Sequence, residues 1–483
     1  MPLILGTNSI KDTGYDVANS LRFNDGSSDN IQRTYGTPTN SKIFGLSWWV
    51  KLGKPYDGSG SQDFWGERAG SNDRVFMGIN ADGTFEYFEK DGGSTVLNIK
   101  TNRLFRDNSA WYHFLLLGDS TQGTSSNRLK LYINGQQETS LATATYPSEN
   151  YTFRLAIGSS TKYFGRVGLG GSLSTNYYDG YLCEAVFVDG TVTTHTDYGE
   201  FDSDSPTIWK PIDVSGLTFG NNGFYLDFED SSALGNDVSG NNNDFTVNNL
   251  TAVDQSTDTC TNNFATLNPL DNAVSQAVFS QGNLKSTMNN SNSQGVGSTG
   301  TFWVSSGKWY VEAKLVDNAS DTGTAFGVTG KVGASTTLLD RVGRSADAVV
   351  YTDAGEKAIA NTFTSSYGST YTNGDIIGIY IDLDNLKIYF AKNGTLQNSG
   401  TGLTLNAIAN TLNGFYTFSV GMNAGGGSPV YEINFGGTQS FSISSGNTDD
   451  NGYGNFEYSP NITGDGVAKK FYSMCSKNLA EYG

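Results

Sequence analysis

Histidine is almost missing from this chain. His113 and His195 are the only 2 in 483 residues, so a histidine-based triad has almost no material. Cysteine is nearly as scarce. Cys183, Cys260 and Cys475 are too few and too scattered for a disulfide framework, their odd number leaves at least one thiol free, and three buried unpaired thiols are expected. Positive charge is short as well: 30 Lys and Arg stand against 48 Asp and Glu, for a formal net charge of -18. With no basic cluster to offset that charge, the chain would repel a phosphate backbone or an acidic membrane surface, so neither nucleic acid binding nor membrane insertion is expected. No apolar run approaches a membrane span, and "MPLILGTNSIKD" has neither the basic start nor the apolar length of a signal peptide. The expectation is synthesis in a cytosol, with any work outside the cell reached by another route. Helical periodicity is also wanting, since no apolar stripe of useful length recurs at a 3.6-residue spacing.

What is present is glycine (60) and aromatic residues (28 Phe, 26 Tyr, 7 Trp), with only 9 Pro. Gly and Asn tolerate positive φ in tight turns, and aromatic side chains fill pleated faces; together they mark an all-β chain and disfavour disorder. At 483 residues, about three times a usual domain, it has room for two large domains. Strand-like runs recur with turn signals between them: "SLRFND" at Ser20, "GLSWWVKLG" at Gly45, "WYHFLLLGD" at Trp111 and "GYLCEAVFVDG" at Gly180. A polar belt rich in Asn, Asp, Ser and Thr follows, and strands return with "GKWYVEAKLVD" at Gly307, "GDIIGIYIDLDNLKIYFAKNG" at Gly374 and "VYEINFGG" at Val430. This predicts an N-terminal segment 1–19, a β-sandwich over 20–210, a connector with short strands over 211–273, a second β-sandwich over 274–445, and a turn-rich β tail over 446–483.

Two stretches alternate apolar and polar residues and then turn at Asn-Gly: "RLKLYINGQQETS" at Asn134-Gly135 and "NLKIYFAKNGTLQ" at Asn393-Gly394. Asn-Gly is the strongest two-residue hairpin signal because a type I′ turn needs positive φ twice. The flanks do not align at a fixed offset, so the pair is two hairpins rather than an internal repeat.

The order of "SLRFND", "LSWWVKLG", "WYHFLLLGDSTQ", "NRLKLYINGQQ" and "YLCEAVFVDG" resembles the laminin-G and pentraxin branch of concanavalin A-like jelly rolls. "GKWYVEAKL", "GDIIGIYIDLDNLKIYFAKNGT" and "FSVGMNAGG...YEINFG" resemble a SPRY domain, and "FYLDFEDSSALGNDVSGNNNDFTV" resembles the opening of a laminin-G-like repeat. The tandem, closed by "FYSMCSKNL", is similar to a family of tail fibre or structural proteins from tailed-phage virions. That resemblance implies two jelly-roll β-sandwiches and a non-enzymatic virion protein attaching to host surface polysaccharide or another host receptor. It implies a homo-oligomer, by likeness a trimer, docked onto other virion proteins through residues 1–19. A phage protein is made in host cytoplasm and freed by lysis, which accounts for the missing signal peptide and disulfides. A structural capsid decoration, spike or tail component without receptor binding, and a polysaccharide depolymerase, are the alternatives.

Glycans are held by aromatic faces together with amide and carboxylate hydrogen bonds. Three loops have that composition: Tyr56 to Trp65, Asn176 to Asp179 with Tyr177 and Tyr178, and the stretch holding Tyr351, Tyr367 and Tyr371. Packing is the competing reading for each, while Trp48, Trp49 and Trp309 are assigned to core or sheet surface. Calcium is the one cofactor considered, since Ca²⁺ takes oxygen ligands. Asp25 and Asp29 in "NDGSSDN" and Asp237, Asn241 and Asp244 in "NDVSGNNND" offer oxygens, against the reading that they only make turns. Related glycosidases place paired carboxylates two apart on one strand, and Asp227 and Glu229 have that spacing. The Glu-x-Asp-x-x-Glu pattern is absent, however, with Tyr225 in the leading position. His113, inside "WYHFLLL", is expected to be a packed strand residue.

Overall fold

The structure, a computed structural model, describes the chain except residues 1–10, 55–59, 69, 71, 168–175, 273–276, 289–295, 320–322, 331–344 and 423–426. The described residues form two compact units, the first spanning Thr13–Thr261 and the second containing Asn262–Gly483. Both are β-sandwiches, and the chain is all-β but for short helical turns and one α-helix among the described residues, Ser476–Tyr482.

In the first unit one sheet runs Gln136–Gln137, Leu129–Ile133, Trp111–Asp119, Ile43–Leu52, Gly180–Asp189, Ser20–Phe23 and Gln255–Ser256, with Phe224–Leu226 joined to Gly180–Asp189. The facing sheet runs from Leu141–Thr145 through Ser94–Leu104, Thr84–Asp91, Arg74–Ile79, Gln62–Arg68, Thr161–Phe164 and Asn30–Thr34 to Thr246–Asn248. Leu46, Trp48 and Val50 of Ile43–Leu52 point into the core between them, beside Phe64, Phe85, Phe114 and Leu116. Each such side chain contributes about 1.5–3 kcal/mol by leaving water. Alternation sends Ser47, Trp49 and Lys51 to the opposite face, and these too are buried.

The second unit repeats the plan. Its inner layer of Trp309, Val311, Ala313 and Leu315, all from Lys308–Asp317, meets Phe326, Tyr351, Phe418 and Val420 of the facing sheet. Tyr310 and Glu312 point outward and are buried all the same.

That second layer of burial changes the expected domain plan. Residues 211–273 are not a free connector. Phe224, Leu226, Phe245 and Leu250 complete the first core, and the strands Phe224–Leu226, Thr246–Asn248 and Gln255–Ser256 extend its sheets, while Leu267–Asn272 already belongs to the second unit. Residues 446–483 are likewise no loose tail. Phe456 and Phe471 cover Tyr310 and Tyr380, and Tyr472–Ser473 pairs in parallel with Trp309 and Tyr310. Asp-rich turns drive this docking: Asp449 accepts from the backbone N–H groups of Asn451, Tyr453 and Ser473 at 2.9–3.0 Å. Of the expected docking segment, residues 1–10 lie outside the described residues, whereas Tyr15 and Val17 pack on the first sandwich beside Trp49 and Trp209.

Candidate functional site: an aromatic basin on the first sandwich

The strand Leu129–Ile133 alternates strictly: Leu129, Leu131 and Ile133 are buried, and Lys130 and Tyr132 face out. Beside it, Trp111–Asp119 ends at Asp119, and the 3-10 turn His195–Asp197 rises from the loop after Gly180–Asp189. Thr194 caps that turn, its backbone N–H and hydroxyl meeting the Asp197 carboxylate at 2.7 and 2.9 Å. Together these elements enclose a basin of about 480 Å³, lined among others by Asp119, Gln122, Asn127, Lys130, Tyr132 and Thr194.

A ladder of rings fixes its floor. Tyr132 stacks on His195 (centroids 5.0 Å apart, planes at 5°), His195 on Trp209 (6.1 Å, 22°), and Trp209 on His113 (5.9 Å, 25°). The Trp209 indole N–H donates to His113 Nδ1 at 3.0 Å, and Ser47 Oγ lies 2.8 Å from Nε2. Burial drives the His113 pKa down to about 3, so that imidazole is a neutral structural ring, the packed strand residue expected. Both histidines are therefore spent on the ladder. Tyr132 is its outermost ring, half-buried, with no further ring contact among the described residues.

Around that ring the polar groups are of the kinds that hold sugars. Partial burial pushes Asp119 up, but hydrogen bonds from Thr121 and Gln122 outweigh it and hold the carboxylate below its usual range, so Asp119 is an anion at neutral pH. Lys130 has no ion-pair partner among the described residues, and Asn127 and Gln122 are exposed. An aromatic face flanked by one anion, one cation and amides can take the C–H face and hydroxyls of a sugar ring.

The aromatic residues singled out in the sequence lie elsewhere, and most are interior. Tyr56 is outside the described residues. Trp65 is fully buried, edge-on to Phe164. Tyr178 is buried with its hydroxyl 2.8 Å from the Lys51 carbonyl, and Asp179 beside it is buried too, its carbonyl accepting from Gly53 at 2.9 Å. Tyr177 alone stays half-exposed, under the Arg166 guanidinium at 4.9 Å. Tyr351, Tyr367 and Tyr371 form an aromatic cluster with Phe390 inside the second sandwich, at centroid distances of 5.1–6.2 Å. The hydroxyls of Tyr351 and Tyr371 bond backbone carbonyls, of Ser369 and of Thr324 respectively, so a polar tip gave these rings no reason to stay in water. For Trp65, Tyr178, Tyr351, Tyr367 and Tyr371 the packing reading replaces the ligand-binding one.

In the loops considered for calcium, the carboxylates and the amide are engaged as follows. Asp25 pairs with Lys54. Asp29 is buried and accepts from the Asn24 N–H at 2.9 Å, burial pushing its pKa up to about 6. Asp237 spends both oxygens on Tyr225, Ser239 and Asn243, Asp244 accepts from the Asp237 N–H, and Asn241 donates to the carbonyls of Gly220 and Gly223. Among the described residues no group of three His, Cys, Asp or Glu is placed to hold a metal ion. Asp227 and Glu229, despite their spacing, do not share a strand. The strand ends at Leu226, Phe228 takes φ 61°, and Asp227 accepts the Glu229 N–H at 3.1 Å in a turn.

Lys130 and Tyr132 sit in the very hairpin whose alternation is plainest in the sequence, and that alternation sends their side chains outward while Leu129, Leu131 and Ile133 turn in.

Comparison with known proteins separates the two units. A profile of the concanavalin A-like lectin/glucanases superfamily matches residues 25–196, and the SPRY domain profile matches 308–438. No curated protein matches the chain. Among solved structures, the SPRY domain of human HERC1 is 17% identical over 35% of this chain and 96% of its own (TM-score 0.29). A heptameric SAP-like pentraxin from Limulus polyphemus is 16% identical over 38% and 81% (0.27), and a putative carbohydrate binding protein from Bacteroides ovatus 15% over 48% and 59% (0.33). The chain therefore carries a concanavalin A-like domain of the laminin-G type followed by a SPRY domain, a tandem of folds suited to binding.

Proposed function

We propose that this is a non-enzymatic adhesin of a tailed-phage particle that holds host surface glycan in the Tyr132 basin. The observation that carries the reading is the basin itself: a terminal ring of a rigid stack, with Asp119, Lys130 and exposed amides around it, on the concanavalin A-like sandwich. The virion setting draws its support from the resemblance of the ordered segments to phage fibre and structural proteins, and a lysis-released particle needs no disulfides. A site this shallow binds weakly per copy, so an oligomer on a particle gains its hold through many copies.

Binding of fluorescently labelled protein to candidate host cells, before and after removal of surface polysaccharide, tests this. Binding that falls with the polysaccharide, and at least tenfold with Tyr132→Ala, supports it. Equal binding by the variant moves the site elsewhere, no binding at all favours a structural virion component, and release of oligosaccharides from the envelope would make the protein a depolymerase.

A further inference from the structure

The second unit carries another recess, larger and of different chemistry. The hairpin Asn461–Gly464 and Val467–Lys470, with the C-terminal helix Ser476–Tyr482, overhangs the start of Lys308–Asp317 and the turn after Ile376–Asp382. The groove between them measures about 950 Å³. Ten of its thirteen lining residues lie outside residues 308–438, so most of the groove is not part of the SPRY match.

One wall is Tyr472 stacked on Tyr482, with centroids 4.1 Å apart and planes at 17°. The pair is held from outside the stack, since Asn451 Nδ2 donates to the Tyr482 hydroxyl at 3.3 Å. Along the same groove lie Lys308, Lys469 and Lys470, and Asp384 is the one carboxylate among the lining residues. Three lysines among thirteen lining residues concentrate ammonium groups in a chain with 30 Lys and Arg in 483 and a net charge of -18, and each has an aspartate partner. Lys308 meets Asp384 at 3.4 Å and Lys470 meets Asp450, both at the surface, where such pairs contribute little and exchange readily for a better anion. Lys469 differs, being fixed by the fully buried Asp382 at 3.2 Å. Fixed and exchangeable ammonium groups beside a flat aromatic wall match a polymer that is both anionic and ring-shaped.

We propose that this groove binds acidic polysaccharide, the uronate carboxylates meeting Lys308 and Lys470 and the sugar rings packing along Tyr472 and Tyr482. It does not rest on the Tyr132 basin. The test is calorimetric titration of the full chain with oligogalacturonate, a neutral maltooligosaccharide of equal length, and polyphosphate. The expected result is at least tenfold tighter binding of the uronide than of the neutral sugar. It should weaken about tenfold in Lys308→Ala/Lys470→Ala and again in Lys470→Glu, whose side chain is 67% exposed and free to change without unfolding the unit. Tyr132→Ala should leave it unchanged, which keeps this site separable from the basin. Uronide binding no tighter than neutral sugar, no loss in either lysine variant, or polyphosphate binding as tightly as uronide overturns the proposal.

Discussion

The two Asn-Gly corners are built alike and buttressed differently. Asn134 and Gly135 take φ of 48° and 74°, Asn393 and Gly394 of 46° and 77°. In each, the turn asparagine exchanges bonds with the neighbouring strand: Oδ1 accepts from His113 or Ile376 at 2.7 and 2.9 Å, and the backbone N–H donates back at 3.0 and 2.8 Å. Each turn glycine then rests on a ring brought by a later segment, Trp209 in the first sandwich and Tyr458 in the second. The outer faces of the two sandwiches differ in how a buried charged side chain is met. In the first, Lys51 and Asp258 form a fully buried ion pair at 2.7 Å with the Trp111 indole N–H on the second Asp258 oxygen at 3.1 Å. In the second, Glu312 is buried and accepts from the Tyr310 hydroxyl, Asn434 Nδ2 and the N–H groups of Glu457 and Tyr458 at 2.7–3.1 Å. At these two positions, Lys51 meets an opposite charge and Glu312 meets neutral donors.

That contrast gives the largest expected effect. Lys51→Met strands Asp258 among the rings of the outer face and should cost about 3–5 kcal/mol in the first sandwich alone. Glu312→Gln keeps the shape of the second latch but turns one of its two accepting oxygens into an NH2 that faces two donors, and should cost about 1–3 kcal/mol. Thermal proteolysis read by mass spectrometry reports each sandwich through its own peptides, so equal losses in both would break the contrast.

Next come the corners themselves. A Cβ on Gly135 would sit 2.2 Å from the Trp209 ring, which is locked between two histidines; on Gly394 it would meet Tyr458 at 2.7 Å, and that ring is half-exposed. Both variants pay for positive φ, about 1–2 kcal/mol, but only Gly135→Ala must also displace a fixed ring at a further cost of about 1–3 kcal/mol. The melting temperature should drop further for Gly135→Ala than for Gly394→Ala; the reverse order would mean that Trp209 is not the rigid post.

Acidity sharpens the comparison. Burial pushes Glu184, held by the Tyr225 hydroxyl at 3.0 Å, up to about 8, and Glu312 up to about 7, from an ordinary 4.5. Above pH 4.5 the unfolded chain has released these protons while the folded chain keeps them. Stability is therefore fully present below that pH and is lost as pH rises through the folded values, by about 1.4 kcal/mol per unit for each group. Between pH 7 and 8 the first sandwich should lose stability faster than the second, and Glu184→Gln should flatten its slope.

The sequence discloses this architecture unevenly. Alternation and Asn-Gly turns gave away the two sandwiches, because a period of two survives whatever covers the sheet. Strands buried on both faces were less legible: Lys51 and Glu312 occupy positions that pattern alone assigns to solvent, and only the later segments folding over them make them interior. The same blindness put Tyr351, Tyr367 and Tyr371 in ligand loops, since a tyrosine that will close into a buried aromatic cluster looks no different, in one dimension, from one that will meet a sugar. It also left Tyr132 unnoticed, although its outward position follows from Leu131 and Ile133 pointing in.

Tyr132→Ala should have the smallest effect on folding of all, and it is the most informative. The ring ends the ladder and is half-buried, against His195 and against the apolar cluster of Leu115, Val186 and Tyr198, so its loss should cost about 1 kcal/mol. Its counterpart Tyr389, opposite the second corner, bonds Asp465 at 2.6 Å and packs on Phe471, which makes Tyr389→Ala a structural loss of about 3 kcal/mol. If the two variants destabilise equally, Tyr132 is a packing residue and the basin loses its platform; if only Tyr389→Ala unfolds while Tyr132→Ala folds and stops binding cells, the same strand pattern serves recognition in one sandwich and latching in the other.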